Sequence, residues 1–85
     1  MKTPISEQLS AFLDNEELEN FIHSAYEFLH ERDKNLTQIL LTQKARLQEI
    51  EGEILTGQLH EESLREALAH VRGTLSYILA QIRHL

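Results

Sequence analysis

Cysteine and tryptophan are absent from these 85 residues, proline occurs once and glycine three times. Without cysteine the chain has neither a disulfide nor a thiolate zinc site, two of the devices that steady domains too small to bury a large core. Packing, self-association or a partner must supply the stability instead. Basic charge is also short. The net charge is −6, and residues 1–31 hold seven acidic side chains against Lys2 alone. From Arg32 onward the signs balance, so the whole excess sits in the first third. Such a distribution argues against nucleic acid or an anionic membrane as partner, since both need basic faces. No apolar run approaches the roughly 18–20 residues that span a bilayer, so no membrane insertion is expected. The stretch MKTPISEQLSAFLDNEE carries no apolar core with a cleavage site, and the expected location is cytoplasmic.

Features of catalysis are equally sparse. Gly52, Gly57 and Gly73 lie too far apart to form a phosphate-cradling loop. Ser6, Ser10, Ser24, Ser63 and Ser76 lack the glycine-flanked turn that exposes a nucleophile. The paired carboxylates fall on expected solvent faces, with nothing to desolvate them. These residues point to a protein that is not an enzyme and holds no cofactor.

What is present is helical periodicity. Thr3 before Pro4 has the form of a helix start, with proline at the first helical position, and Ile5, Leu9 and Phe12 recur at helical spacing. Asp14 with Glu17, and Leu13 with Leu18, stand as a capping box and hydrophobic staple for a second helix. At 100° per residue Leu18, Ile22, Ala25 and Leu29 point the same way as Leu36, Leu40, Gln43, Leu47, Ile50 and Ile54. That shared phase predicts one long central helix over residues 14–56, with a break near Asp33 as the alternative. Gly57 is placed to end it as a left-handed cap. After the short turn at residues 57–60, Leu64, Leu68, Val71, Leu75, Ile78, Ile82 and Leu85 step 4-3-4-3-4-3 along a helix over 61–85, an uninterrupted heptad seam. The expected fold is all-α, a single domain over 1–85: a short helix at 3–13, then an antiparallel, coiled-coil-like hairpin, completed as a dimeric bundle. Gln43 is the one polar seam position, suited to fixing register.

The stretch LENFIHSAYEFLHE, residues 18–31, holds two of the three phenylalanines, one of the two tyrosines and two of the five histidines. Its apolar arc is wider than a coiled-coil seam because Phe21 and Phe28 flank the Leu18/Ile22/Ala25/Leu29 line, and so broad an arc calls for two neighbours. The last helix is too short to reach it, and the junction at Leu13-Asp14 leaves little room for the first helix to fold back. Burying each Phe or Leu is worth roughly 1.5–3 kcal/mol, so leaving this face wet would forfeit most of the stability of so small a domain. The expected cover is a second copy, giving a homodimer, or a helix of another protein. The interface residues on this reading are Leu18, Phe21, Ile22, Ala25, Phe28 and Leu29, with Leu9 and Phe12 helping. Glu16, Glu17, Glu19, Glu27 and Glu31 form an acidic rim suited to a basic partner.

Two further constellations compete with ordinary solvated faces. His23, Glu27 and His30 share a helical face, and EFLH at 27–30 has the Glu-x-x-His form of di-iron carboxylate bundles. No second copy of the motif exists, so a polar face with local Glu–His pairing is the simpler account and no metal is expected. Ala69, Gly73, Ser76 and Ala80 make a stripe of small side chains, with His70 and Tyr77 beside it. No motif identifies a family; the outline resembles small secretion-system chaperones and phage or plasmid regulators in shape alone. The residues thus describe a small acidic chaperone, adaptor or antagonist. The alternatives are a structural homo-oligomeric coiled coil and, less favoured, a metal-binding bundle.

Overall fold

In the computed structural model residues 4–57 and 60–85 are described, and no strand occurs among them. They form four helices: α1 (Ile5–Asp14), α2 (Leu18–Leu29), α3 (Lys34–Thr56) and α4 (Glu61–Ile82). Each packs on the next, and α1 also packs on α4, so the four close into a ring around one core. The all-helical expectation holds. The single helix over 14–56 does not, because the chain breaks between Leu29 and Lys34 and continues as two helices.

Asp33 accounts for that break. Its backbone is extended (φ −147°, ψ 104°), and its carboxylate accepts from the Leu36 N–H at 3.0 Å. Its carbonyl accepts from both the Thr37 N–H and the Thr37 hydroxyl. An aspartate cap supplies the orphan donors of a new helix start without help from glycine or proline. Upstream, the His30 N–H donates to the Tyr26 carbonyl and those of Arg32 and Asp33 donate to Leu29, which finishes α2. The continuous apolar phase across residues 30–33 is no sign of a continuous helix, because both helices turn their apolar sides to the same core.

The junction before α2 also departs from expectation. Asp14 is the last residue of α1, not the cap of α2, and Glu17 occupies the cap with no side-chain bond. The chain reverses through Glu16, whose φ of 58° is left-handed. The Glu17 N–H reaches back to the Phe12 carbonyl at 2.8 Å and the Glu16 N–H to Leu13 at 3.1 Å. That pair of bonds is a Schellman turn with glutamate where glycine is usual. It gives α1 the room to fold back onto α2 that the short junction seemed to deny. Pro4 stands at the cap of α1 rather than inside it; Thr3 lies outside the described residues.

The core follows from these two reversals. Phe21, Ala25 and Leu29 of α2 are fully buried, together with Leu9 of α1, Leu40 of α3, and Val71, Leu75 and Ile78 of α4. The broad arc of α2 meets α1 on one side and α3 on the other. Gln43 is buried at the expected seam position, and no buried side-chain nitrogen or oxygen among the described residues lacks a hydrogen-bond partner. Gly57 closes α3 in the left-handed conformation, φ 71°. The turn beyond it falls partly outside the described residues, at 58–59. The α4 seam is buried from Val71 to Ile82, half-buried at Leu64 and Leu68, and lost at Leu85, which lies past the helix end and is exposed. Leu79, off the seam, is buried as well.

Two substitutions test this architecture. Phe21→Ala should cost about 3–5 kcal/mol in urea denaturation, near the whole stability of the domain; a loss under about 1 kcal/mol would mean the ring is not in the core. Asp33→Ala should cost about 1 kcal/mol, the value of a helix cap, whereas an unchanged or raised stability would point to an unbroken helix.

Candidate binding grooves at the start of α2

The chain covers the face that the sequence assigned to an interface. Leu9, Phe21, Ala25 and Leu29 are fully buried, Ile22 nearly so, and Phe12, Leu18 and Phe28 half-buried, all within one copy. The need for an outside cover rested on a continuous helix and falls with it. The surface left open lies elsewhere, and the relative lengths of the helices say where.

At 1.5 Å per residue α2 reaches about 18 Å and α3 about 34 Å. Near the start of α2, an open groove of about 720 Å³ lies between Glu16–Asn20, Leu47 and Glu51 of α3, and Arg65, Leu68, Ala69 and Arg72 of α4. A second, of about 470 Å³, lies between α2 and α3, where Ile22, His23 and Tyr26 meet Leu41, Lys44 and Gln48. Glu19, Leu47 and Glu51 line both. Past these grooves Ile54 is half exposed and Leu55 is 88% exposed.

The expected acidic rim therefore divides. Glu16, Glu17 and Glu19 come together on the first groove. Glu27 pairs with His23 at 3.1 Å, Glu31 stands 3.6 Å from His30, and neither lines a groove. The remaining groove residues were harder to find in sequence. Leu47 and Leu68 fall on the apolar seams of α3 and α4. Tyr26 and Leu41 lie off the apolar arc, and that misfit was their only signal. Glu51, Arg65 and Arg72 had none.

Charge in the first groove is unevenly matched. Arg72 Nη1 stands 3.9 Å from Glu16 Oε1, and Arg65 Nη2 is 3.3 Å from Glu61 Oε1. Glu51 faces Glu19. A hydrogen bond with the Glu19 side chain, then desolvation, then the negative charge of Glu19 push the Glu51 carboxyl above its ordinary range. Negative charge on Glu51 is therefore disfavoured beside Glu19.

The His23/Glu27/His30 face does not converge. The His30 Nδ1 atom lies 3.1 and 3.0 Å from the Tyr26 and Glu27 carbonyls, and its ring stacks on Tyr26 at 5.3 Å. Its imidazole is thus tied to its own backbone while His23 pairs with Glu27. Among the described residues no group of three or more His, Asp or Glu is placed to hold a metal ion, and no helix is long and apolar enough to cross a membrane. Ala69, Gly73, Ser76 and Ala80 lie exposed along α4, and Ala69 and Gly73 also edge a shallow recess with Ile39, His70, Thr74 and Tyr77. Compared with protein-family models, curated proteins and solved structures, the chain matches none.

The strained carboxyl pair gives a prediction with a definite sign. A carboxyl whose pKa is raised by folding contributes stability while protonated, fully below the unfolded value of 4.5, and loses it as pH rises through the raised folded value. Glu51→Gln should therefore melt at a higher temperature than the parent at about pH 7, with the gap closing towards about pH 4. A variant less stable than the parent at neutral pH would show that Glu51 is not repelled there.

Proposed function

We propose that the protein is a non-enzymatic binding module, a small acidic chaperone, adaptor or antagonist, that holds a helix of another protein in the groove between α2, α3 and α4. The observation that carries this is the groove itself. It has an apolar floor of Leu18, Leu47 and Leu68, it crosses three helices, and charged side chains line its edges. Amphipathic helices dock in grooves of this kind through apolar anchors at i, i+3, i+4 and i+7. Leu18 and Ile22, from the stretch that the sequence marked as an interface, line the two grooves.

Backbone strain at the same place supports the reading. Glu16 pays the cost of a left-handed conformation on the groove edge, where glycine would adopt it freely. Residues kept in such conformations concentrate at functional sites. On this proposal α3 and α4 form an antiparallel, coiled-coil-like hairpin that serves as the rigid bed, and α1 and α2 fold over part of it to leave the groove open.

Ala69 is exposed on the α4 wall, so Ala69→Trp should fill the groove without disturbing the core. The expected outcome is that a labelled amphipathic helical peptide binds the parent chain, and that Ala69→Trp weakens it at least about tenfold while the circular-dichroism melt is unchanged. Equal binding by both proteins would remove the groove from consideration. A second copy of the chain is the competing occupant. Light scattering over a concentration series that gives a dimer abolished by Ala69→Trp would assign the groove to self-association and favour the structural, homodimeric alternative.

A further inference from the structure

We infer that the occupant of this groove is a basic amphipathic helix, with its apolar side on Leu18, Leu47 and Leu68 and one lysine or arginine seated between Glu19 and Glu51. This rests on the groove being a binding site and adds the chemistry of the partner.

Charge complementarity carries it. On the α3 wall the groove is lined by Glu51 and by no lysine or arginine of α3. The entry to α2 adds Glu16, Glu17 and Glu19 along the same groove. The cations of the α4 wall are turned to the chain's own acids, Arg65 to Glu61 at 3.3 Å and Arg72 to Glu16 at 3.9 Å. Around the carboxyl pair the other charged or titratable groups are Glu16, Glu17, His23 and Tyr26 from the α2 side, Lys44 from α3, and Arg65 and Arg72 from α4. His23 is paired with Glu27. Glu19 and Glu51 are left beside each other at the α2–α3 contact, where both grooves meet.

That arrangement suits an incoming cation better than any other group. An acidic helix would add a third negative charge, and a neutral one would leave the carboxylates repelling each other. An ammonium or guanidinium seated between them offsets both negative charges. The upward push on the Glu51 carboxyl has the same cause, the neighbouring Glu19. The Leu18/Leu47/Leu68 floor meanwhile sets an apolar requirement that a merely cationic segment does not meet.

The test uses the full chain and three labelled peptides in fluorescence anisotropy. One has a leucine face and lysines on its polar face, one has the same leucine face with glutamine for lysine, and one is a scramble of the first. Expected are an affinity for the lysine peptide at least about tenfold above either control at low salt, and a narrowing of that advantage as screening rises. The double variant Glu19→Gln, Glu51→Gln should lose about fivefold for the lysine peptide, the upper range for exposed ion pairs, and nothing for the glutamine peptide. Equal affinity of the lysine and glutamine peptides, or an undiminished lysine affinity in the double variant, overturns the basic partner and leaves the groove standing. Equal binding of the scramble overturns it too, as attraction to an acidic surface alone. Binding of no peptide at all removes the groove reading, and this inference with it.

Discussion

The carboxylate of Asp33 and the left-handed backbone of Glu16 are the two points on which the rest of the structure depends. Each reverses the chain at one end of α2, and together they turn its aromatic face inward. On an unbroken helix over residues 14–56, residues 18–29 would project beyond the reach of α4 with Phe21 and Leu29 in water. With it, α2 lies on α3, and the same side chains become the middle of the core. A hydrogen bond worth about 1 kcal/mol thus directs the burial of several side chains worth roughly 1.5–3 kcal/mol each. The cap selects where the hydrophobic energy is spent rather than supplying it.

The open grooves follow from a mismatch in length. α2 is about half as long as the helix it lies on, and whatever it does not cover stays exposed. The groove therefore sits at its first residues, where the reversal through Glu16 also brings three carboxylates to the edge. Fold and candidate site share one cause, because the turn that closes the core is the turn that lays out the acidic side of the groove. The contact between Glu19 and Glu51 is the cost of that placement. It is tolerable in a domain otherwise steadied by a continuous apolar core, and it leaves two acceptors in place for a cation.

Much of this was legible in the sequence. Helical content, the cap at Gly57, the buried part of α4 from Val71 to Ile82 and the buried Gln43 all follow from local rules of spacing and backbone freedom, and the width of the α2 arc called for two neighbours. The identity of those neighbours did not follow. Phase along the chain reports which side of a helix is apolar, and it is blind to a break when both halves face the same core. Asp14, followed by Glu17, had the pattern of a helix cap, yet the turn formed two residues later through a residue with no intrinsic preference for positive φ. Leu41 and Tyr26 could be noticed only as apolar side chains out of place.

By itself the sequence determined that the chain is helical, acidic in its first third, free of disulfides, and too rich in apolar side chains on residues 18–29 to leave them in water. Only the tertiary structure decided that the chain covers those side chains with its own helices, and that Glu19 meets Glu51. The physical reason is range. Periodicity and capping act over four residues or fewer, whereas the closing of α1 on α4 and the contact of two carboxylates 32 positions apart depend on how whole helices pack.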